Sequence, residues 1–269
     1  MTQLKNSTNQ LTTRELDIIH LLYRFRFLTR SQIQHFLHHK DHKTIQLWLN
    51  KLISSDFITT VTPDKINQES KTKIYLLAEG GVKYLISTES IDHLARQRLR
   101  KDSERSAEFI QHQLLLADIA LDLEQQNTTS DQFEFHLRAD FKTFPAKDIL
   151  EELKPNAYLV RQRGDRIDEY LLEIVTDTFA EGLRALIKRY LATCQSCDWE
   201  ETGRPFPVVQ LVCPNERTLY YLAGFTRRIA KLQDLSDVHV RFTTLSELKR
   251  SGIRGPIWSE VNCTISEAN

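Results

Sequence analysis

Lys43, Thr44, Gln46, Asn50 and Lys51 lie within one short stretch and recur at intervals that place them along one side of a helix. Their chemistry suits a nucleic-acid duplex. Asn and Gln amides match the donor–acceptor edge of adenine, and Lys matches guanine or a phosphate. Lys65, Lys71 and Lys73 follow in a polar run, where ammonium groups can meet a phosphate backbone. An ordinary solvated helix face is polar too, so the surrounding elements must decide between the readings. A second set, Glu173 with Asn156, Asp177 and Lys188, holds group types used in metal-assisted phosphodiester hydrolysis. Mg²⁺ prefers carboxylate oxygens, and each lost negative charge weakens its attraction. One assured carboxylate beside an amide is a poor ligand set.

The elements that position the first set read clearly. Thr12 and Glu15 have capping-box spacing and open a first helix with Leu16, Ile19, Leu22 and Tyr23 inward. Arg30-Ser31 opens a second helix with Ile33, Phe36 and Leu37 inward, and His38–His42 reads as a polar turn. In a third helix, Ile45, Trp48, Leu49, Leu52 and Ile53 form the expected buried stripe. This leaves Lys43, Gln46, Leu47, Asn50 and Lys51 on the other side. Phe57–Val61 and Lys73–Leu77 then read as two strands flanking a polar loop, Pro63–Lys71. Three helices followed by such a hairpin predict a winged helix-turn-helix over residues 11–85. That unit places one helix in the major groove of double-stranded DNA and a loop on the flanking backbone.

Composition narrows the remaining classes. The chain has 269 residues, 41% hydrophobic, with no net charge and little Gly or Pro, as expected of folded domains. Neutrality conceals an asymmetry: residues 1–110 hold 17 Lys and Arg against 12 Asp and Glu, and the remainder is acidic to the same degree. The basic part is where a phosphate backbone is expected. No apolar run approaches the length of a membrane span, and the N-terminus lacks a signal-peptide core, so a cytoplasmic protein without membrane contact is expected. Cys194-Gln-Ser-Cys197 is a lone CxxC, and with Cys213 and Cys263 it reads as reduced structural thiols, with metal or redox work as the lesser alternative. The histidines at 38–42 lack ligand-spaced partners and read as an exposed turn.

Residues 86–130 read as connecting helices: a charged stretch from Arg96 to Arg105, then a long helix from Ser106 to Gln126. Ile110, Leu114, Ala117, Leu121 and Leu123 form its apolar side. Beyond it, strands are expected at Phe133–Phe141, Leu153–Val160 and Glu169–Thr176, with a turn at Arg161–Arg166. A helix at Phe179–Cys194, a strand at Val208–Cys213, a helix at Glu216–Leu232 and a strand at Val238–Phe242 follow. This alternation predicts an α/β domain with a central mixed sheet over residues 131–250, and a tail at 251–269. The whole is α+β.

A helix, three strands, helix, strand resembles the PD-(D/E)xK nuclease fold. That pattern implies an acid at the start of the second hairpin strand, a Glu on the next strand and a Lys two residues further. Asn156, Glu173 and Val175 occupy those positions, so only Glu173 is retained. Glu104 and Glu108 are candidates for an assisting helix acid, or simply parts of a solvated face.

Several short tracts then point to one family. Ile74-Tyr75-Leu76-Leu77-Ala78-Glu79-Gly80-Gly81, His112 with Leu114–Asp118, Pro155-Asn156-Ala157, Leu171–Ile174 and Lys188-Arg189-Tyr190 resemble the replication-relaxation family. The resemblance implies a plasmid or other mobile element and a part in its replication and relaxation, with Asn156 and Val175 departing from the family's acid and base positions. The expectation is a non-enzymatic, homodimeric DNA-binding protein without cofactor, its second domain a scaffold and its possible protein partners those of the element. The alternatives are a Mg²⁺- or Mn²⁺-dependent nuclease or nickase using Glu173, and a transcriptional regulator or protein-interaction module.

Overall fold

The computed structural model describes residues 11–61, 72–88, 93–144, 146–176, 179–196, 198–233, 235 and 238–261. The chain divides into two compact units, Met1–Asp118 and Ile119–Asn269, with the boundary inside one long helix.

The first unit begins with α1 (Thr13–Phe25), capped by Thr12. The Thr12 hydroxyl accepts from the Glu15 N–H, and the Glu15 carboxylate accepts from the Thr12 N–H. A two-residue strand β1 (Leu28–Thr29) leads into α2 (Arg30–Phe36), which repeats the device with Thr29 and Gln32. Asp41 caps α3 (His42–Ser54), so the helix starts at the last residue of the expected histidine turn. Then come β2 (Ile58–Val61), β3 (Ile74–Leu77), α4 (Glu79–Thr88), α5 (His93–Arg100) and the first part of α6 (Ala107–Gln125). The three strands form an antiparallel sheet in the order β1-β3-β2. Phe27, Val61, Ile74, Leu76 and Ile110 pack together, which fixes the start of α6 against this sheet. The loop between β2 and β3, with Lys65 and Lys71, lies outside the described residues.

Gly80 and Gly81 open α4 where the chain passes the turn after α3. A Cβ on Gly81 would stand 2.1 Å from the Phe57 carbonyl oxygen, and one on Gly80 would stand 2.4 Å from that of Asp56. Only residues without a side chain allow this approach.

The second unit is built on a six-stranded mixed sheet in the order β4-β5-β6-β7-β8-β9. Its strands are β4 (Gln132–His136), β5 (Ala157–Arg163), β6 (Arg166–Ile174), β7 (Val208–Cys213), β8 (Val240–Thr244) and β9 (Ser259–Val261). β4, β5 and β6 are antiparallel, β7 and β8 run parallel to β6, and β9 is antiparallel to β8. Helices α7 (Lys147–Leu153), α8 (Ala180–Gln195), α9 (Glu216–Leu232) and α10 (Leu245–Ser251) connect them. Leu150 and Leu153 of α7, Ile187, Tyr190 and Leu191 of α8, and Leu222 and Phe225 of α9 share one core with Leu171, Val209, Leu211 and Phe242 of the sheet.

Four expectations need correction. The strand expected at Leu153–Val160 begins only at Ala157: Leu153 ends helix α7, where Leu150 and Leu153 are buried one turn apart, Lys154 then turns left-handed and Pro155 bars continuation. Phe141 sits in a helical turn, not a strand. The expected turn at Arg161–Arg166 shrinks to Gly164-Asp165, with Gly164 at φ +57°, since the strands continue to Arg163 and from Arg166. The tail contributes β9 to the sheet edge.

Candidate functional site

Helix α3 buries Ile45, Leu49 and Leu52 and half-buries Trp48 against His39, whereas Ile53 is partly exposed rather than core. Its outward side carries Lys43, Gln46, Leu47 and Asn50. Leu47 is 67% exposed, and the Gln46 side-chain N–H donates to Asn50 Oδ1 over 2.9 Å. That bond orders two amides and engages neither the Gln46 oxygen nor the Asn50 N–H groups. Thr44 serves the helix start: its hydroxyl donates to Asp41 over 2.6 Å. Lys43 and Lys73 are exposed.

Lys51 behaves differently from the rest of the set. Its ammonium bridges to Glu15, 2.8 Å from Oε1, and the Glu15 side chain is almost wholly buried. Burial opposes ionisation of Glu15, but hydrogen bonds from Lys51 and from Thr12 outweigh it and hold its pKa below the ordinary value. Lys51 therefore ties α3 to the start of α1. Its position on α3 was legible; its partner on another helix was not.

In the second unit, Asn156 and Glu173 come together at the end of the β5–β6 pair remote from its Gly164-Asp165 turn. The Ile174 N–H donates to Asn156 Oδ1 over 2.6 Å, and the Asn156 backbone N–H donates to the Leu172 carbonyl over 3.0 Å. The Glu173 side chain points into the core beneath α8, only 6% exposed. The Tyr190 hydroxyl donates to its Oε1 over 2.6 Å, and the Arg189 guanidinium donates to the same oxygen over 3.0 Å. Burial pushes the Glu173 carboxyl up to about 7, against the pull of Tyr190 and Arg189 toward the ionised form. Lys188 is exposed on α8; its neighbours Arg189 and Tyr190 are the residues that reach Glu173. Glu104 and Glu108 are exposed in the first unit, and Asp177 lies outside the described residues.

This donor set does not fit Mg²⁺. A buried carboxylate whose Oε1 is already held by a guanidinium and a phenol, beside an amide oxygen that accepts from a backbone N–H, is a poor ligand set for a hard dication. Among the described residues no three His, Cys, Asp or Glu side chains are grouped to hold a metal, and no helix is long and apolar enough to cross a membrane.

The sequence pattern of the replication-relaxation family matches residues 19–208, which takes in both the α3 face and the Glu173 cluster. The chain belongs to the replication-relaxation family. No curated protein matches the sequence significantly. Within this replication-relaxation protein, the family tract at Ala78–Gly81 has a steric reason in the close approach of Gly81 to Phe57, and the Lys188-Arg189-Tyr190 tract has an electrostatic one in Glu173.

Proposed function

We propose that this replication-relaxation protein binds duplex DNA of a plasmid or other mobile element and acts in its replication or relaxation. The DNA-reading unit is a winged helix made of α1–α3 and the β2–β3 hairpin. The second unit, arranged in the manner of PD-(D/E)xK nucleases, is a scaffold rather than a cleaving centre. The observation that carries this reading is the outward side of α3, where Lys43, Gln46, Leu47 and Asn50 stand together with an ordered amide pair. Amides recognise adenine edges, Lys recognises guanine or phosphate, and an exposed apolar side chain suits the thymine methyl group. Against cleavage stands Glu173, whose charge is already matched inside the core.

The test is binding to a pool of duplex DNA at two salt concentrations, with Mg²⁺ in parallel. Wild type is compared with Lys43→Ala/Gln46→Ala/Asn50→Ala. Salt-sensitive binding to intact DNA, with sequence preference lost in the variant, is the expected result. Equal preference in wild type and variant removes α3 as the reading helix. Mg²⁺-dependent cleavage abolished by Glu173→Ala overturns the scaffold assignment.

A further inference from the structure

Most arginines of the second unit are neutralised within it. Arg161 and Arg254 pair with Asp131, Arg163 and Arg166 with Asp168, Arg189 with Glu173, and Arg204 with Glu169. Helix α9 is the exception. It buries Leu222, Phe225, Thr226 and Ala230, and its outward positions, three and four residues apart, are Arg217, Tyr220, Tyr221, Gly224, Arg227, Arg228 and Lys231, with Glu216 exposed at its first turn and Leu232 at its last residue. Glu216, at the helix start, is the one exposed acid of α9 among the described residues, and none of the four exposed cations Arg217, Arg227, Arg228 and Lys231 pairs with a carboxylate among them. Tyr220 is 70% exposed. On the neighbouring helix α8, Arg184 donates to the Tyr221 hydroxyl over 2.6 Å and Lys188 is exposed, two cations against the one exposed acid Glu181 on that face among the described residues.

Gly224 sits in the middle of this stripe. Glycine inside a helix costs about 1 kcal/mol relative to alanine. A Cβ there would meet nothing within 4 Å, so the packing of this chain does not require the missing side chain. Its effect is a flat place between the tyrosines and the arginines, which lets another surface approach the helix backbone.

We propose that the α9 face of the second unit is a second DNA-contact surface, seated on the phosphate backbone of a duplex. From Arg217 to Lys231 the stripe runs about 21 Å along the helix. Cations of one sign at regular helical intervals match a regularly repeating anion. Protein interfaces, by contrast, are depleted of charge at their cores. Tyrosine hydroxyls and arginines are common donors to phosphate oxygens. The surface carries no base-reading amide, so it contributes affinity and orientation without sequence preference. DNA as the ligand is shared with the proposed function, but this surface rests on its own charge pattern and lies on the other unit.

The test uses the full chain, a random-sequence duplex and fluorescence anisotropy over a salt series. Arg217→Ala/Arg227→Ala/Lys231→Ala should keep the wild-type Tm, because all three side chains are exposed and none pairs with a carboxylate among the described residues. Its slope of log affinity against log salt should fall by about 2 to 3 units, close to 0.9 for each phosphate that is no longer neutralised. Gly224→Gln should raise Tm and yet weaken binding, an opposition that a purely structural glycine would not produce. An unchanged slope in the triple variant overturns the inference. So does poly-glutamate competing as well as DNA at equal charge, which would mark the face as one for acidic protein. The Lys43→Ala/Gln46→Ala/Asn50→Ala variant, measured for sequence preference on the duplex pool, separates the two readings. Lost sequence preference there with an intact slope in the α9 variant sinks only the α9 surface, and the reverse pattern sinks only the α3 reading.

Discussion

The Tyr190 hydroxyl donates to Glu173 Oε1 over 2.6 Å inside the core of the second unit, with Arg189 on the same oxygen. A carboxyl raised from 4.5 to about 7 keeps its proton in the folded state where the unfolded chain has lost it. Stability associated with this group is therefore fully present below pH 4.5 and is lost as pH rises through 7. Glu173→Gln removes the titration and keeps an oxygen that accepts from Tyr190. The variant should match wild type in acid and exceed it by up to about 3 kcal/mol above neutrality. Thermal melts from pH 5 to pH 8 check this. Tyr190→Phe should act in the opposite sense, costing about 1–3 kcal/mol and more at pH 8 than at pH 5, because the lost donor supports the charged form.

Lys43 and Lys51 lie on one helix but should separate cleanly. Lys51→Ala leaves the Glu15 carboxylate buried without its ammonium, and loss of an ion-pair partner of a buried charge is costly. We expect a loss of about 1–3 kcal/mol in the first unit, since the Lys end is itself partly solvated. Glu15 has a depressed pKa, so its contribution is present above 4.5 and lost as pH falls through the folded value. The gap between Lys51→Ala and wild type should accordingly narrow in acid. Lys43→Ala, at an exposed position, should leave the unfolding free energy within about 0.5 kcal/mol of wild type. Chemical denaturation of the two variants at pH 4 and pH 7 distinguishes them.

Local patterns were legible where local physics dominates. The Thr12–Glu15 capping box, the strand Val208–Cys213 and the helix Glu216–Leu232 occur where spacing alone puts them. What local spacing leaves out shares one cause, which is that partners lie far away in sequence. Nothing in the sequence beside Lys51 announces its ion pair with Glu15, and nothing beside Glu173 announces that α8 brings Arg189 and Tyr190 over it. β9 is three residues long and finds its place only by pairing with β8. The α7 helix was hidden because Leu150 and Leu153 adjoin Pro155, and a short apolar run beside a breaker reads equally as strand or helix.

Two glycines should respond in opposite directions to the same substitution. Gly81→Ala drives a methyl into the Phe57 carbonyl at 2.1 Å, and backbone on both sides leaves no cheap relief. A loss of about 1–3 kcal/mol, or failure to accumulate folded protein, is expected. Gly224→Ala fills open space on an exposed helix and should gain up to about 1 kcal/mol. Paired thermal melts are sufficient, and equal shifts in both variants would refute the steric account.

Asp131 supplies the acid-side counterpart to Glu173. Arg161 binds it through two nitrogens, at 2.8 and 2.7 Å, and Arg254 joins the same carboxylate from the segment after α10. Both guanidinium groups stand 5.0 Å from the centre of the Phe133 ring, so the two cations that hold this single anion also share one aromatic ring. Hydrogen bonds from Arg161, opposed in part by burial and aided by the charges of Arg161 and Arg254, lower its pKa to about 2. The stabilisation is fully present above 3.8 and is lost as pH falls through about 2. Asp131→Asn leaves the two cations facing each other and should cost about 2–3 kcal/mol at pH 7, near the lower end for a partly solvated pair. The difference from wild type should shrink toward pH 2, where the native carboxyl is itself protonated. For Glu173→Gln the difference opens as pH rises, so the two variants measured over one pH series must diverge from wild type at opposite ends if each carboxyl is held as described.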